Sequence, residues 1–334
     1  MEMKSFLKLT NFNSLNLFIF SIFPLAILAG NLIINVSILV ISITFIAFLV
    51  FRRVNINFKE TYIILLFLFF FSLLVNLIFT NNLLLSIPRV LKFFFIIFFI
   101  LSFNYIIQSN KTKIDTIFLS WTVILLIVIL DLIFEYFNGS NILGLKSFDN
   151  SRLGSFTGNE SNIGNYFYGF SLFSLAFIYK KYPKKIFLNF LISLFLIFMS
   201  FLIGERANFI KTFMIITLFC FFTYNLRFKY KLISFLIIFL LIGGFISSNN
   251  KFKTRYHGQF IKPIYEHGIS HYINNSIYGA HYLISLEIFK KNPLFGVGIK
   301  NFRVESFSSD YSIEHNFSNR RGNTHPHQVH FEFL

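Results

Sequence analysis

Nine apolar stretches, each long enough to cross the roughly 30 Å hydrocarbon core of a bilayer, dominate this chain. A helix that is apolar on every face has to be surrounded by lipid or by other helices. The sequence therefore predicts an all-α, polytopic transmembrane protein, with about nine spans forming a helical domain over residues 1–248. The predicted spans cover residues 12–30, 32–51, 61–79, 89–107, 115–136, 163–179, 186–203, 207–224 and 231–248.

The charged residues of the connections predict the orientation. Fourteen Lys and Arg residues lie in the N-terminus and in every second connection, which places all of them on one side if the nine stretches span the membrane. Such an excess is typical of cytoplasmic loops. We therefore expect a cytoplasmic N-terminus and residues 249–334 on the outside. This distribution also accounts for the net charge of +16 without any binding of nucleic acid.

Two of the external segments are too long and too polar to be simple turns. Residues 137–162 are rich in Gly, Asn and Ser and predict tight turns. Residues 249–334 predict a folded external region with one amphipathic helix, which contains Tyr282 and Phe289 and ends at Lys290-Lys291-Asn292-Pro293. An apolar helical pattern begins at Val329 and stops after a few positions. We therefore expect a fragment that lacks further spans and is inactive when isolated.

Arg206 lies in the tight external turn Gly204-Glu205-Arg206-Ala207, between two predicted spans. One interpretation is a turn in which Glu205 and Arg206 are simply solvated. The other is an anion site, because Gly204 permits a tight turn, the next helix offers free N–H groups and Arg206 adds a forked donor. A phosphate or diphosphate would suit such a site.

Three histidines lie near the end of the sequence, in Thr324-His325-Pro326-His327-Gln328-Val329-His330. Metal binding is one interpretation, although the spacing across Pro326 gives no helical pair of ligands. A general base is another, because a neutral imidazole can accept a hydroxyl proton near neutral pH. Structural hydrogen bonding is the third. The lone Cys220 excludes an intramolecular disulfide and a cysteine metal cluster.

The segment Asn292-Pro293-Leu294-Phe295-Gly296-Val297-Gly298-Ile299-Lys300-Asn301-Phe302-Arg303, followed by Thr324-His325-Pro326-His327-Gln328, resembles the signature of the O-antigen ligase and O-antigen polymerase superfamily. Taken alone, its Gly-x-Gly element predicts only a turn after the amphipathic helix. The loop from Arg152 to Asn162 and the turn at Gly204-Glu205-Arg206-Ala207 resemble further family motifs in the same order. The resemblance covers about residues 150–334.

This resemblance implies a bacterial inner-membrane glycosyltransferase of the C type, with residues 249–334 in the periplasm. The implied donor is a glycan on undecaprenyl diphosphate, and the acceptor is lipid A core or another glycan, with membrane lipid as the surroundings. No metal and no cofactor are implied. The resemblance assigns His327 as the base, His325 as its nearest alternative, and Arg206 as a catalytic and diphosphate-binding residue.

Further substrate-binding residues follow from the same resemblance. Arg152 belongs to the first family motif. Where ligases carry an arginine before the amphipathic helix, this chain has Gly279-Ala280-His281, so His281 is a candidate and a positive charge is missing. Arg303, Arg320 or Arg321 could supply that charge.

Two other functions remain open. Polymerisation of repeat units uses the same kind of donor, and the shared motifs do not separate it from ligation. A non-catalytic transporter or glycan-binding membrane protein is the alternative of another class. Transport would predict paired ionisable residues deep in several spans, whereas Asp131, Glu135, Lys92 and Lys211 mostly lie near predicted span ends.

Overall fold

A computed structural model of the chain describes residues 9–51, 53–109, 111–147, 149, 151–158 and 162–323. Nine helices of 17 to 28 residues occupy the positions of the nine predicted spans. They are α1 Leu9–Leu28, α2 Asn31–Val50, α3 Thr61–Ile78, α4 Leu83–Ser109, α5 Lys111–Asn138, α6 Ile163–Lys181, α7 Ile186–Leu202, α8 Arg206–Thr223 and α9 Phe228–Ser248.

The prediction of an all-α, polytopic membrane protein is confirmed by these helices. Six of them, α2 to α5, α8 and α9, are long and apolar enough to cross a membrane. The apolar parts of α1 and α7 are shorter, at Ser14–Leu28 and Ile186–Leu202. The count of nine spans therefore stays a prediction, as do the orientation and the domain boundary at residue 248.

The polar segment after α9 is more helical than its sequence predicts. It contains α10 Asn250–Phe252, a π-helix Lys253–Ile261, α11 Lys262–Asn274, α12 Ile277–Lys291 and α13 Phe302–Glu305. The predicted amphipathic helix is confirmed as α12. The helical run from Asn250 to Asn274 was not predicted, because it is polar overall and contains Gly258 and a Gly268 with non-helical backbone.

The chain divides into two compact units. Unit 1 contains Met1–Thr44 and Ser102–Gln259, and unit 2 contains Phe45–Leu101 and Phe260–Leu334. In unit 1, α5 packs against α1 and α6, while α7 and α8 pack against α6 and against each other.

One hydrogen bond in unit 1 compensates for a backbone hydrogen bond that α1 lacks. Pro24 lies inside this helix and has no N–H group, so the carbonyl of Phe20, four residues earlier, loses its helical donor. The indole Nε1–H of Trp121 in α5 donates to that carbonyl at 2.7 Å, and the hydroxyl of Ser120 donates to the carbonyl of Ser21 at 2.8 Å. Proline in a membrane helix is tolerated where a neighbour satisfies the freed carbonyl in this way.

Unit 2 is organised around the corner between α3 and α4. The two helices pack through phenylalanine pairs such as Phe69 with Phe93, whose ring centroids lie 5.0 Å apart. Beyond the corner, Phe295 stacks on Phe79 at 3.8 Å, and the side-chain amide of Asn76 donates to the Phe295 carbonyl at 2.7 Å. The segment after α12 is thereby held against this corner.

We expect Trp121→Phe to destabilise the protein by about 1 kcal/mol, because the Phe20 carbonyl would lose its donor in an apolar environment. Unfolding in mixed micelles would measure this loss. In a Pro24→Ala background, the backbone N–H of residue 24 can donate to the Phe20 carbonyl. Trp121→Phe should therefore lower the free energy of unfolding by less in that background. Equal losses in both backgrounds would show that the indole does not compensate for the proline.

Candidate functional site

The turn between α7 and α8 admits only glycine at position 204. Gly204 has a φ of +81°, in the region that side chains avoid. A Cβ atom there would also lie 2.6 Å from the carbonyl oxygen of Ser151. The backbone N–H of Leu153 donates to the carbonyl of Ile203 at 3.1 Å. The turn and the loop before α6 therefore form one packed structure, from which Arg206 begins α8.

Two carboxylates at the end of α5 hold that loop in place. Glu135 accepts hydrogen bonds from the backbone N–H groups of Gly154 and Ser155, the latter at 2.6 Å. Asp131, one helical turn earlier, accepts from the hydroxyl of Ser155 at 2.5 Å and from the backbone N–H of Ile142 at 2.9 Å. Both acids are almost completely buried. Their role in this geometry is to satisfy loop donors away from water.

Glu205 has a similar role and is not simply solvated. Its carboxylate accepts from the backbone N–H of Gly164, at the start of α6, at 3.1 Å, and from the side-chain amide of Asn208 at 2.5 Å. A negative charge at this position also complements the N-terminal end of the α6 dipole. A Cβ atom on Gly164 would collide with the carboxylate. The interpretation of the turn as a solvated pair of charges is therefore wrong for Glu205.

Arg255, in the π-helix, joins the turn to the loop. Its side chain is only 4% exposed. Its Nε donates to the carbonyl of Gly204 at 2.5 Å, and its Nη1 donates to Asp149 at 2.8 Å and to the hydroxyl of Ser151 at 3.1 Å. Its own carbonyl accepts from Nη1 of Arg206 at 3.4 Å. The guanidinium of Arg255 thus fixes the two segments that carry Arg152 and Arg206.

The result is a cluster of three arginines, in which Arg152 and Arg255 lie against one carboxylate and Arg206 contacts the backbone of Arg255. Nε of Arg152 lies 3.4 Å from Asp149, the acid that also pairs with Arg255. Burial lowers the pKa of Arg255, and the charges of Arg152 and Arg206 lower it further. Burial acts to raise the pKa of Asp149, but hydrogen bonds from Ser151 and the charge of Arg255 hold it below its usual value. We call Arg152, Arg206, Arg255 and Asp149 the arginine cluster.

A cavity of about 450 Å³ adjoins this cluster in unit 1. Arg152, Lys146 and Lys251 give it three cationic side chains. Aromatic rings of Tyr136 and Phe252 form part of its apolar wall. A cavity of this size and lining suits a ligand with both an apolar face and an anionic group.

Four of the predicted substrate-binding residues, His281, Arg303, Arg320 and Arg321, lie in unit 2. His281 is 2% exposed, with Nδ1 at 2.9 Å from the carbonyl of Arg321 and Nε2 at 3.2 Å from the side-chain amide of Asn323. A carbonyl only accepts, so we assign the proton to Nδ1 of a neutral ring. His281 thereby anchors the segment that leads directly to Thr324.

The three arginines of unit 2 that were predicted to bind substrate differ in their surroundings. Nη2 of Arg321 donates to the carbonyl of Ser308 at 2.8 Å, which ties the same segment to the turn after α13. Arg320 is exposed. Arg303 is half-buried, and its Nε makes no hydrogen bond within the described part of the chain. Their contacts with a substrate stay predictions.

His325 and His327, with His330, lie outside the described residues. Their roles remain those that the family resemblance predicts.

Sequence reasoning missed Arg255, which the geometry places at the centre of the cluster. Its contacts reach Gly204, 51 residues away, and Asp149, 106 residues away. No local pattern predicts such pairs. The available signal was a single arginine in a polar segment directly after the last predicted span.

We expect Arg255→Lys to weaken folding by about 1–3 kcal/mol, because a single ammonium cannot reproduce the forked contacts and leaves buried acceptors unsatisfied. Unfolding in mixed micelles and limited proteolysis of residues 139–158 would measure the effect. Arg227→Lys, at an exposed arginine before α9, is the matched control. Equal stability and equal cleavage of both variants would contradict the bridging role.

The comparisons with known proteins agree with these motifs over the second half of the chain. Residues 188–334 match the family model described as O-Antigen ligase. The matched range contains Arg206 and Arg255, whereas Arg152 lies before it. The comparisons with curated proteins and with solved structures give no match. This match supports the O-antigen ligase superfamily for residues 188–334, the family that the sequence motifs resemble.

Proposed function

We propose that this chain is an inner-membrane glycosyltransferase that moves a glycan from undecaprenyl diphosphate to an acceptor hydroxyl, as an O-antigen ligase does. The observation that carries the proposal is the arginine cluster, in which Arg152 and Arg206 lie on segments fixed by the buried Arg255. The family match over residues 188–334 supports the same class of enzyme.

The arginine cluster suits the charge that develops in this reaction. Breaking the bond between the anomeric carbon and the phosphate oxygen leaves a diphosphate with growing negative charge. Cations that are already in position stabilise such charge without reorganising during the reaction. Arg152 and Arg206 would donate to the diphosphate, and Arg255 would hold them in place. This arrangement supplies positive charge without a metal ion.

The acceptor requires a base, and His327 is the proposed residue, with His325 as the alternative. A neutral imidazole within hydrogen-bonding reach of the acceptor hydroxyl would take its proton as the oxygen attacks the anomeric carbon. The acceptor bond forms while the bond to phosphate breaks, so a single in-line step inverts the anomeric carbon. His281 supports this proposal indirectly, because it anchors residues 321–323 directly before this motif.

The cavity beside Arg152 offers room for part of a glycan. Sugars present apolar C–H faces that pack on aromatic rings, and Tyr136 and Phe252 provide such surfaces. Lys146 and Lys251 would contact an acidic sugar or a phosphate. We propose this cavity for the sugar next to the diphosphate.

Complementation in a host that lacks its own ligase tests this function. We expect Arg206→Ala and His327→Ala each to reduce surface polysaccharide on a gel at least about a hundredfold, the range of a lost general base or charge-stabilising donor. Arg227→Ala and His330→Ala are the matched controls and should retain the wild-type amount of surface polysaccharide. Immunoblots of the membrane fraction would verify equal protein levels.

The lipid-linked intermediates decide between the two reactions. If polymer accumulates on the lipid carrier in the variants while the lipid A core stays unmodified, the protein is a ligase. Loss of the polymer itself indicates a polymerase. Wild-type output from both Arg206→Ala and His327→Ala would refute the catalytic assignment.

A further inference from the structure

A second group of positive charges lies in unit 2, where the turn before α13 meets the start of α4. The hydroxyl of Ser86 donates to the carbonyl of Ile299 at 2.8 Å. Asn301 is completely buried, and its side-chain amide lies 2.5 Å from the hydroxyl of Thr80 and 2.8 Å from the carbonyl of Val297. These contacts fix the backbone of residues 297–301 on the first turn of α4.

The turn adopts a conformation that costs free energy. Gly298 has a φ of +93°, and a Cβ atom there would collide with Thr80. Lys300 has a φ of +66°, although it has a side chain. A non-glycine residue in this region costs on the order of 1 kcal/mol, and such residues concentrate at functional sites. The surrounding contacts thus hold the backbone of Lys300 in a conformation that lysine rarely adopts.

Four cations converge at this point. Arg89 follows Ser86 by three residues, and Lys92 follows Arg89 by three, so each is a neighbour of the one before it on the surface of α4. Lys300 and Arg303 come from the turn and from α13. Burial lowers the pKa of Lys300, and the charges of Arg89, Arg303 and Lys92 lower it further. We call these four residues the α4 cation cluster.

The α4 cation cluster lacks a counterion among the described residues. The ion pairs of the described chain do not include any of its four members. Glu305, on the same short helix as Arg303, instead accepts from the side-chain amide of Asn81 at 2.9 Å. Nε of Arg303 is buried without a hydrogen-bond partner in that part of the chain. This arrangement differs from the arginine cluster, where Asp149 lies between the cations.

We propose that Arg89, Lys92, Lys300 and Arg303 form a binding site for a lipid-borne phosphate group. Arg89 and Lys92 lie near the start of an apolar helix that is long enough to cross the membrane. Leu84 and Leu91 on the same helix are 84% and 55% exposed, and they offer apolar surface to the chain of a lipid. Arginine and lysine at the membrane surface bind phosphate headgroups through charge-assisted hydrogen bonds.

Two lipids supply this chemistry, an anionic phospholipid and a polyprenyl diphosphate. The proposal does not rest on the proposed enzymatic function, because binding of either lipid can be measured without turnover. A site for phospholipid would position the chain in the bilayer. A site for the diphosphate would add a contact for the lipid carrier in unit 2.

Native mass spectrometry of the full chain in detergent tests the site, with phosphatidylglycerol and undecaprenyl diphosphate as two separate probes. We expect Arg89→Gln combined with Lys300→Gln to weaken binding of at least one probe by about tenfold or more, which corresponds to the loss of one charge-assisted hydrogen bond. Lys262→Gln combined with Lys290→Gln removes the same charge from exposed residues that pair with Glu266 and Glu287. This control should bind like the wild type.

The pattern across the two probes identifies the lipid. Weaker binding of phosphatidylglycerol alone assigns a phospholipid site, and weaker binding of undecaprenyl diphosphate alone assigns a lipid diphosphate site. Weaker binding of both supports the shared phosphate chemistry. Lys300→Arg keeps the charge and should retain binding, which separates loss of charge from misfolding. Wild-type affinity of the Arg89 and Lys300 double variant for both probes, or equal weakening in the control, would overturn the proposal.

Discussion

Backbone groups that leave a helix beside an apolar environment need hydrogen-bond partners, and this requirement shapes both units. The loop before α6 obtains its partners from Asp131 and Glu135, and the start of α6 obtains one from Glu205. Arg255 satisfies the carbonyl of Gly204. Buried side chains of this kind lower the number of loop conformations that are compatible with the packed helices. The described parts of the loops around the arginine cluster are accordingly fixed by hydrogen bonds from buried side chains.

The fold was largely predictable because hydropathy is a local property. Each helix from α1 to α9 coincides with a predicted apolar stretch, and six of the nine are long and apolar enough to cross a membrane. The exceptions lie where local pattern is weak. Residues 250–274 form helices although they are polar overall, and their Gly268 interrupts the regular backbone. Packing against the rest of unit 1 or unit 2 determines such segments, and no window of sequence contains that information.

The site was predictable only in part, for a related reason. The Gly204-Glu205-Arg206 turn could be recognised because glycine, a helix start and an arginine are adjacent in sequence. Arg255 could not, because its partners lie far away in the chain. His281 was predicted as a substitute for a binding residue, which stays a prediction; its buried ring contacts residues 321 and 323, which no local pattern indicated. A residue type indicates what chemistry is possible, whereas its neighbours decide which chemistry is used.

Ionisable residues near a membrane are functional candidates by default, but their neighbours divide them into two classes. The first class has partners within the protein. Glu135, for example, meets backbone N–H groups, so its charge is already used in holding a loop.

The second class consists of like charges that the backbone holds together without a counterion among the described residues. Lys300 belongs to this class, because burial and then the neighbouring cations lower its pKa, and its backbone is strained. Folding alone gives no reason to assemble repelling charges on a strained turn, since each of these features opposes folding. An anionic ligand that neutralises them would recover that free energy on binding. The difference between the two classes lies in the partners of each charge, not in its depth along a predicted span.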